Sequence, residues 1–286
     1  MIALPKKKKT STIIIALILI GICIAGIIML PLPEKHETIK ETMKDAVLHD
    51  INKIDFFGFQ VDPSLISAYI VTGILLVFAL FVRIFAIPRF KDIPGKFQLI
   101  IETWVGFFHD LGKTNSPHRY KALGGYIFGA GSYIFAGTMF ELFGLQAITT
   151  EGHSITLPAP LANINGAICM GFLSFFFIMS GGIAANGGKG ILKTLKEFSL
   201  PISMTFRLFG ALMSGMLTTE LVYYYITLSF GLPVVVGVLF TVLHALIQAY
   251  VLTMLTSFYY GEVSEVHNTA NKNENNKAEE VKNEEA

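Results

Sequence analysis

The stretch SLPISMTFRLFGALMSGMLTTELVYYY, Ser199 to Tyr225, sets two charged side chains, Arg207 and Glu220, in an otherwise apolar run. A charge at the centre of a bilayer costs about 2.5–3.5 kcal/mol on insertion scales, so such groups usually face protein or water and mark ion or substrate paths. Arginine stays protonated in proteins, so Arg207 would be a fixed positive charge. Snorkelling to the headgroups is the plain alternative, because Pro201 opens the helix only six residues earlier. The neighbouring residues tip the balance. Gly210, Ala211, Ser214, Gly215 and Thr218 recur at i+3, i+4, i+7, i+8 and i+11 from Arg207, one small-residue stripe on the arginine's side. Such stripes let another helix approach closely, so Arg207 is aimed at a partner helix rather than at lipid. A static helix–helix contact would leave the same stripe.

The last apolar segment, GVLFTVLHALIQAYVLTMLTSFYYGEV, places His244 and Gln248 four residues apart, and Thr241 extends their face. Polar side chains stacked on one stripe of a membrane helix suggest a hydrated path. Histidine changes charge near neutral pH, which suits proton handling, although a hydrogen-bonded packing role fits equally. Other polar groups at the edges of apolar runs are Glu141 in GTMFELFGL, Asn163 and Asn165 in LPAPLANINGA, and Glu197, ten residues before Arg207. With the topology below, Glu141 and Glu197 lie near opposite membrane faces, which would suit two half-paths.

The elements that must position these residues are membrane helices. Only 15% of the 286 residues are charged, against about 25% in soluble domains, and the mean hydropathy is +0.57. Apolar runs at Ile13–Leu30, Ile66–Val82, Ala122–Phe140, Gly166–Ala185, Phe206–Phe230 and Leu232–Tyr260 are each long enough for a hydrocarbon core of about 30 Å. Six spans are expected, all helical, since lipid leaves the backbone of an open sheet unsatisfied. The four lysines of MIALPKKKKT precede the first run. That run is either an uncleaved span, which its length favours, or a cleaved leader. Basic residues then concentrate in Arg83–Lys121 and Asn186–Leu200, while Gln146–Asn165 has neither Lys nor Arg. The bias places both termini inside, with Pro33–Leu65 outside.

Within the first inner loop, KFQLIIETWVGFFHDLGK spaces Phe97, Ile100, Ile101, Trp104, Phe107, Phe108 and Leu111 along one helical face. This predicts an amphipathic helix in the inner interface, with Trp104 at headgroup depth. Residues 262–286 are polar and lack aromatics, which predicts a disordered tail. The domain plan is therefore a basic segment and apolar run at 1–32, an external segment at 33–65, a membrane domain at 66–261 and the tail. The net charge of +1 gives no field that would attract nucleic acid. The two cysteines, Cys23 and Cys169, fall in apolar runs and behave as small hydrophobes rather than as a metal or disulfide framework. No paired, broken segments of an inverted-repeat transporter are found.

Several motifs converge on one family. IPGKFQLIIETWVGFF, LPAPLANINGA, PISMTFRLFGALMSG and LIQAYVLTMLTSFYYGEV, within a similarity that keeps the same order from about Phe56 to Glu262, resemble subunit a of F-type ATP synthases, the stator subunit of an ion-driven rotary motor. The resemblance implies an all-α integral membrane protein of the bacterial cell membrane whose two final helices form a long tilted hairpin. That hairpin would lie against a rotor ring of small hairpin subunits, each with one carboxylate. It implies two half-channels, with Arg207 matching the essential arginine that meets those carboxylates, and Gly210, Ala211, Ser214, Gly215 and Thr218 facing the rotor. Gln248 matches the glutamine near the arginine, Glu197 an acidic position of the inner half-channel, and Asn163 and Asn165 the polar segment lining the outer one. Partners implied are the ring, peripheral-stalk subunits, a soluble ATP-hydrolysing and ATP-synthesising assembly and the lipid membrane.

Three positions depart from the family pattern. The usual glutamate nine residues after the arginine is Met216, with Glu220 one turn later; the usual histidine seven before the glutamine is Thr241, with His244 one turn nearer. With Arg207 facing Gln248, Glu220 and His244 would lie about 13 Å apart along the axis. The residue after RLFG is Ala211 in place of the usual asparagine. No catalytic residue, cofactor or metal site is expected, the cargo being H+ or Na+ with protons slightly favoured. The ATP chemistry belongs to the soluble assembly, since no G-x-x-x-x-G-K-[ST] loop is present. The alternatives are a stand-alone transporter or channel with Arg207 binding an anion, and an assembly scaffold.

Overall fold

The computed structural model describes residue 21, 54–56, 59–148, 154–224 and 232–265. The expected span Ile13–Leu30, apart from Gly21, and the tail beyond Glu265 lie outside the described residues.

Seven α-helices order the described chain: α1 Pro63–Phe81, α2 Lys96–Asn115, α3 Tyr120–Phe140, α4 Ile164–Asn186, α5 Gly188–Leu195, α6 Ser199–Tyr224 and α7 Leu232–Ser264. α1 runs on through a π-helical turn, Val82–Ala86, into a 3-10 turn, Ile87–Arg89. Pro88 lacks the N–H that an α-helix needs, and the chain becomes extended at Phe90. Two small antiparallel hairpins were not expected: β1 Ile54–Phe56 with β2 Phe59–Val61, and β3 Gln146–Ile148 with β4 Ser154–Thr156. Ile54 pairs with Val61 and Gln146 with Thr156. Strands of three residues are too short to show a period of two.

Among the described residues four helical stretches are long and apolar enough to cross a membrane: Pro63–Arg89, Ile164–Asn186, Ser199–Thr218 and Val234–Ser264. α3, expected as a fifth, is 21 residues long but glycine-rich, and its Leu123, Ile127 and Ile134 are fully buried. It is covered by protein, so it needs less apolar surface than a lipid-facing helix. α7 has 33 residues, about 50 Å at the α-helical rise, which exceeds a 30 Å core and requires tilt or extension beyond it. It also runs through Ser264, past the expected start of the tail at 262.

The described residues form two compact units, drawn respectively from 1–80, 133–167 and 206–249, and from 81–132, 168–205 and 250–286. In the first, Ile54, Val71, Phe140 and Leu157 make a core to which Ile66, Ile70, Tyr133 and Ala147 add partly buried area. Both hairpins thereby contribute to the packing around α1 and the end of α3.

The second unit seats α2 on the chain's own helices. Phe108, 1% exposed, meets Phe128 edge-on at 5.9 Å and fills the space left by Gly131. The Trp104 indole donates to Ser132 Oγ on α3 at 3.0 Å. Phe97, Leu99, Ile100 and Phe107 stay exposed. The stripe is therefore shared: Trp104 and Phe108 meet α3, while Phe97, Ile100 and Phe107 are exposed. Asn115 Nδ2 donates to Ser257 Oγ on α7 at 3.1 Å, and Ser257 Oγ donates to the Leu111 carbonyl at 3.2 Å. Asn115→Ala is expected to cost about 1 kcal/mol, read as a lower thermal midpoint of the purified chain.

The end of α7 is capped from three other segments. Lys193 Nζ donates to the Glu262 carbonyl at 2.6 Å, and Asn186 Nδ2 to those of Val263 and Glu265 at 3.0 and 3.1 Å. His118 Nε2 lies 2.8 Å from Ser264 Oγ and 3.1 Å from its carbonyl oxygen. These groups satisfy the last carbonyls, which have no intrahelical partner, and a lysine there suits the negative end of the helix dipole. Arg119 Nη2 does the same for α4 at the Ala184 carbonyl, 2.7 Å away. The chain leaves α4 through Gly187, whose φ of +59° favours glycine.

Candidate functional site

Arg207 lies on an exposed face of α6 with Phe206, Gly210 and Ser214. Leu208 and Leu212, on the opposite side, are 1% and 6% exposed. Helical spacing thus gives one buried leucine face and one face of small residues around a cation. Among the described residues Arg207 forms no hydrogen bond or ion pair.

The rest of the small stripe turns inward. Ala211, Gly215 and Thr218 are partly buried, and Thr218 Oγ1 donates back to the Ser214 carbonyl at 2.7 Å. A Cβ placed on Gly215 would lie 3.3 Å from His244 Nδ1, so this glycine admits the imidazole of α7 against the α6 backbone. Phe240 braces the same ring at 5.7 Å. Gly215→Val is expected to push His244 off this position. A displacement worth about 1 kcal/mol would lower the folded-to-unfolded ratio about fivefold, read as a lower thermal midpoint of the purified protein.

Thr241 and His244 are partly buried and Gln248 is 6% exposed, so the polar face of α7 runs inward. Among the described residues Gln248 Oε1 is buried and meets no hydrogen-bond donor, although such an atom costs about 1–3 kcal/mol when it finds none. No hydrogen bond joins Gln248 to Arg207. Glu220 lies on α6, and its side chain is outside the described part of that helix.

A second polar group gathers where α1 and α4 begin. Asn163 precedes α4, and its Oδ1 accepts from the Asn165 N–H at 2.8 Å, capping the helix. Its Nδ2 donates to Asp62 Oδ2 at 2.8 Å. Asp62 in turn caps α1, its Oδ1 accepting from the Ser64 N–H at 2.9 Å. Asp62 escaped the sequence reading, although VDPS carries the aspartate-then-proline signature of a helix start. Its link to Asn163 spans 101 residues and leaves no local pattern.

Glu141 is partly buried in a 3-10 turn, Glu141–Phe143, that ends α3. Glu197 lies in the turn between α5 and α6, within the other unit. The structure thus joins Gly215 with His244 and Asn163 with Asn165, and bonds neither Glu141 nor Glu197 to either pair. Among the described residues no group of three His, Cys, Asp or Glu could hold a metal ion.

Comparison with known proteins places a family on this chain. The family described as ATP synthase A chain matches residues 65–261. Two relatives, each named ATP synthase subunit a, come from Cereibacter sphaeroides strains ATCC 17025 / ATH 2.4.3 and ATCC 17029 / ATH 2.4.9. Each is 24% identical over 210 residues, covering 69% of this chain and 80% of the relative.

Proposed function

Because the chain belongs to the ATP synthase A chain family, that of subunit a of F-type ATP synthases, we propose that Arg207 is the fixed charge its rotor meets. The chain is a multi-pass membrane protein with the stator role of this family, the ion-channel part of the complex rather than its catalytic part. In the proposed mechanism each ring carboxylate arrives carrying its ion from one half-channel. The guanidinium stabilises the ionised carboxylate and so expels that ion into the other half-channel. Reloading must then wait for almost a full turn of the ring, because a loaded carboxylate is disfavoured beside the arginine.

The observation that carries this is Arg207 itself: exposed, bonded to nothing else described in the chain, and flanked by Gly210 and Ser214 on the same face. A membrane cation with no partner among the described residues is suited to one on another chain. The buried, donor-free carbonyl of Gln248 supports a polar path alongside. If α6 and α7 form the antiparallel hairpin with Gly215 level with His244, then Gln248 comes level with Ala211, about 6 Å from Arg207 along the axis. Glu220 comes about 7.5 Å from the level of His244, nearer than the 13 Å given by an arginine facing the glutamine. One or two waters can bridge such a gap. Glu141, Asn163 and Asn165 would then serve the outer half-channel and Glu197 the inner one, in the cell membrane of a bacterium.

The test is ATP-driven ion uptake by inverted membrane vesicles containing the whole complex, wild type against Arg207→Ala at matched assembly, with and without sodium. Loss of uptake in the variant supports the motor, and a sodium requirement names the ion. Undiminished uptake removes Arg207 from the mechanism and restores the scaffold or the anion-binding transporter.

A further inference from the structure

The bonds around Asp62 identify a residue that the half-channel reading leaves out. A carboxylate only accepts hydrogen bonds, and here its two oxygens are divided between two helices. Oδ1 takes the Ser64 N–H, at 2.9 Å, and the Ser64 hydroxyl at the head of α1. Oδ2 takes Asn163 Nδ2 at 2.8 Å. An acceptor opposite Asn163 compels that carboxamide to present its NH2 there, which turns its oxygen toward the Asn165 N–H, 2.8 Å away. The order of donors and acceptors therefore runs one way through the group. Asp62, which cannot donate, fixes one end of it, and the Asn165 N–H, which cannot accept, fixes the other. The positive ends of α1 and α4 both favour the anion.

We propose that Asp62 is a positioning residue for the outer ion path, setting the orientation of Asn163, and with it the start of α4, at the mouth where ions enter. The proposal rests on the two-half-channel reading above. Asp62 is not a carrier in this scheme. Its carboxylate is occupied on both oxygens, and its effect reaches the ion through Asn163.

The experiment measures ATP synthesis by inverted vesicles carrying the whole complex. Synthesis is driven by a potassium diffusion potential at graded lumenal proton concentration and, in parallel, graded lumenal sodium. Asp62→Asn keeps the size but sets an NH2 against the Asn163 NH2. It is expected to raise the lumenal ion concentration for half-maximal synthesis about tenfold, with a smaller change in the maximal rate. The double exchange Asp62→Asn with Asn163→Asp rebuilds the same links with one donor and acceptor reversed. It is expected to bring half-saturation back to within about twofold of wild type.

Unchanged half-saturation in Asp62→Asn would overturn the proposal, leaving Asp62 a helix cap. Equal impairment of the single and double variants would also overturn it, by showing that the charge at position 62 acts itself. A loss confined to maximal rate or to subunit level in both would overturn it too, assigning Asp62 to folding alone. Failure of the half-channel reading is separately visible, because Arg207→Ala vesicles would then still couple ions to synthesis.

Discussion

Arg207→Ala vesicles are expected to lose ATP synthesis driven by an imposed ion gradient while becoming leakier to the same ion. A positive charge about 4 Å from a carboxylate, at an effective dielectric constant of 20, favours its ionised form by about 4 kcal/mol. Removing it costs about a thousandfold in the step that discharges each arriving site. The second effect follows from the same term. In the proposed mechanism a loaded carboxylate that meets no arginine passes directly between the two half-channels, so ions would cross without a full turn of the ring. Arg207→Lys separates charge from geometry: a lysine keeps the charge but loses the rigid, weakly hydrated fork and deprotonates more readily when desolvated. It is expected to leak less than alanine and still synthesise far below wild type. Synthesis, passive ion flux and immunodetected subunit level, measured on one vesicle preparation, check all of this. Wild-type coupling in the alanine variant would remove Arg207 from the mechanism.

How far the sequence anticipates this site depends on the range of the interaction. Local signals served well. The run read as Ile66–Val82 is the helix Pro63–Phe81, that read as Gly166–Ala185 is Ile164–Asn186, and the last begins at Leu232 as expected. Proline, asparagine caps and uninterrupted apolar length carry those boundaries. Periodicity also found the polar stripe of α7 and the small stripe of α6. It could not say what covers a stripe. Gly215 and Gly210 belong to one pattern, yet the first admits His244 and the second is exposed. The α2 stripe likewise divides at Trp104 and Phe108, whose partners Ser132 and Gly131 lie on α3. Contacts between distant segments leave no period: Asp62 with Asn163, or His118 with Ser264. The two β-hairpins escaped for the opposite reason, being too short to have a pattern at all.

Gly190→Ala, the addition of a single methyl group, is expected to cause a severe loss of folded subunit. α5 folds back on α4 so closely that a Cβ on Gly190 would overlap the carbonyl group of Gly182 and come within 3.1 Å of the Ile183 nitrogen. All of these are backbone atoms of a helix, so no side chain can swing aside, and the two helices would have to part. Parting them also disturbs the buried Thr194 hydroxyl, which donates to the Gly190 carbonyl at 2.9 Å, and Lys193, which caps α7. Alanine's better helix propensity returns at most about 1 kcal/mol, against overpacking that reaches about 3 kcal/mol even where side chains can adjust. At 1.4 kcal/mol per factor of ten, a net loss near 2 kcal/mol or more shifts the folded-to-unfolded ratio about thirtyfold. Gly73→Ala is the matched control, since nothing lies within 4 Å of a Cβ built there. Subunit retained in membranes, with the thermal midpoint of the purified complex, should collapse for Gly190→Ala and hold for Gly73→Ala. Equal retention of the two would mean that α5 can move off α4 at little cost, and that the cap on α7 does not depend on their close approach.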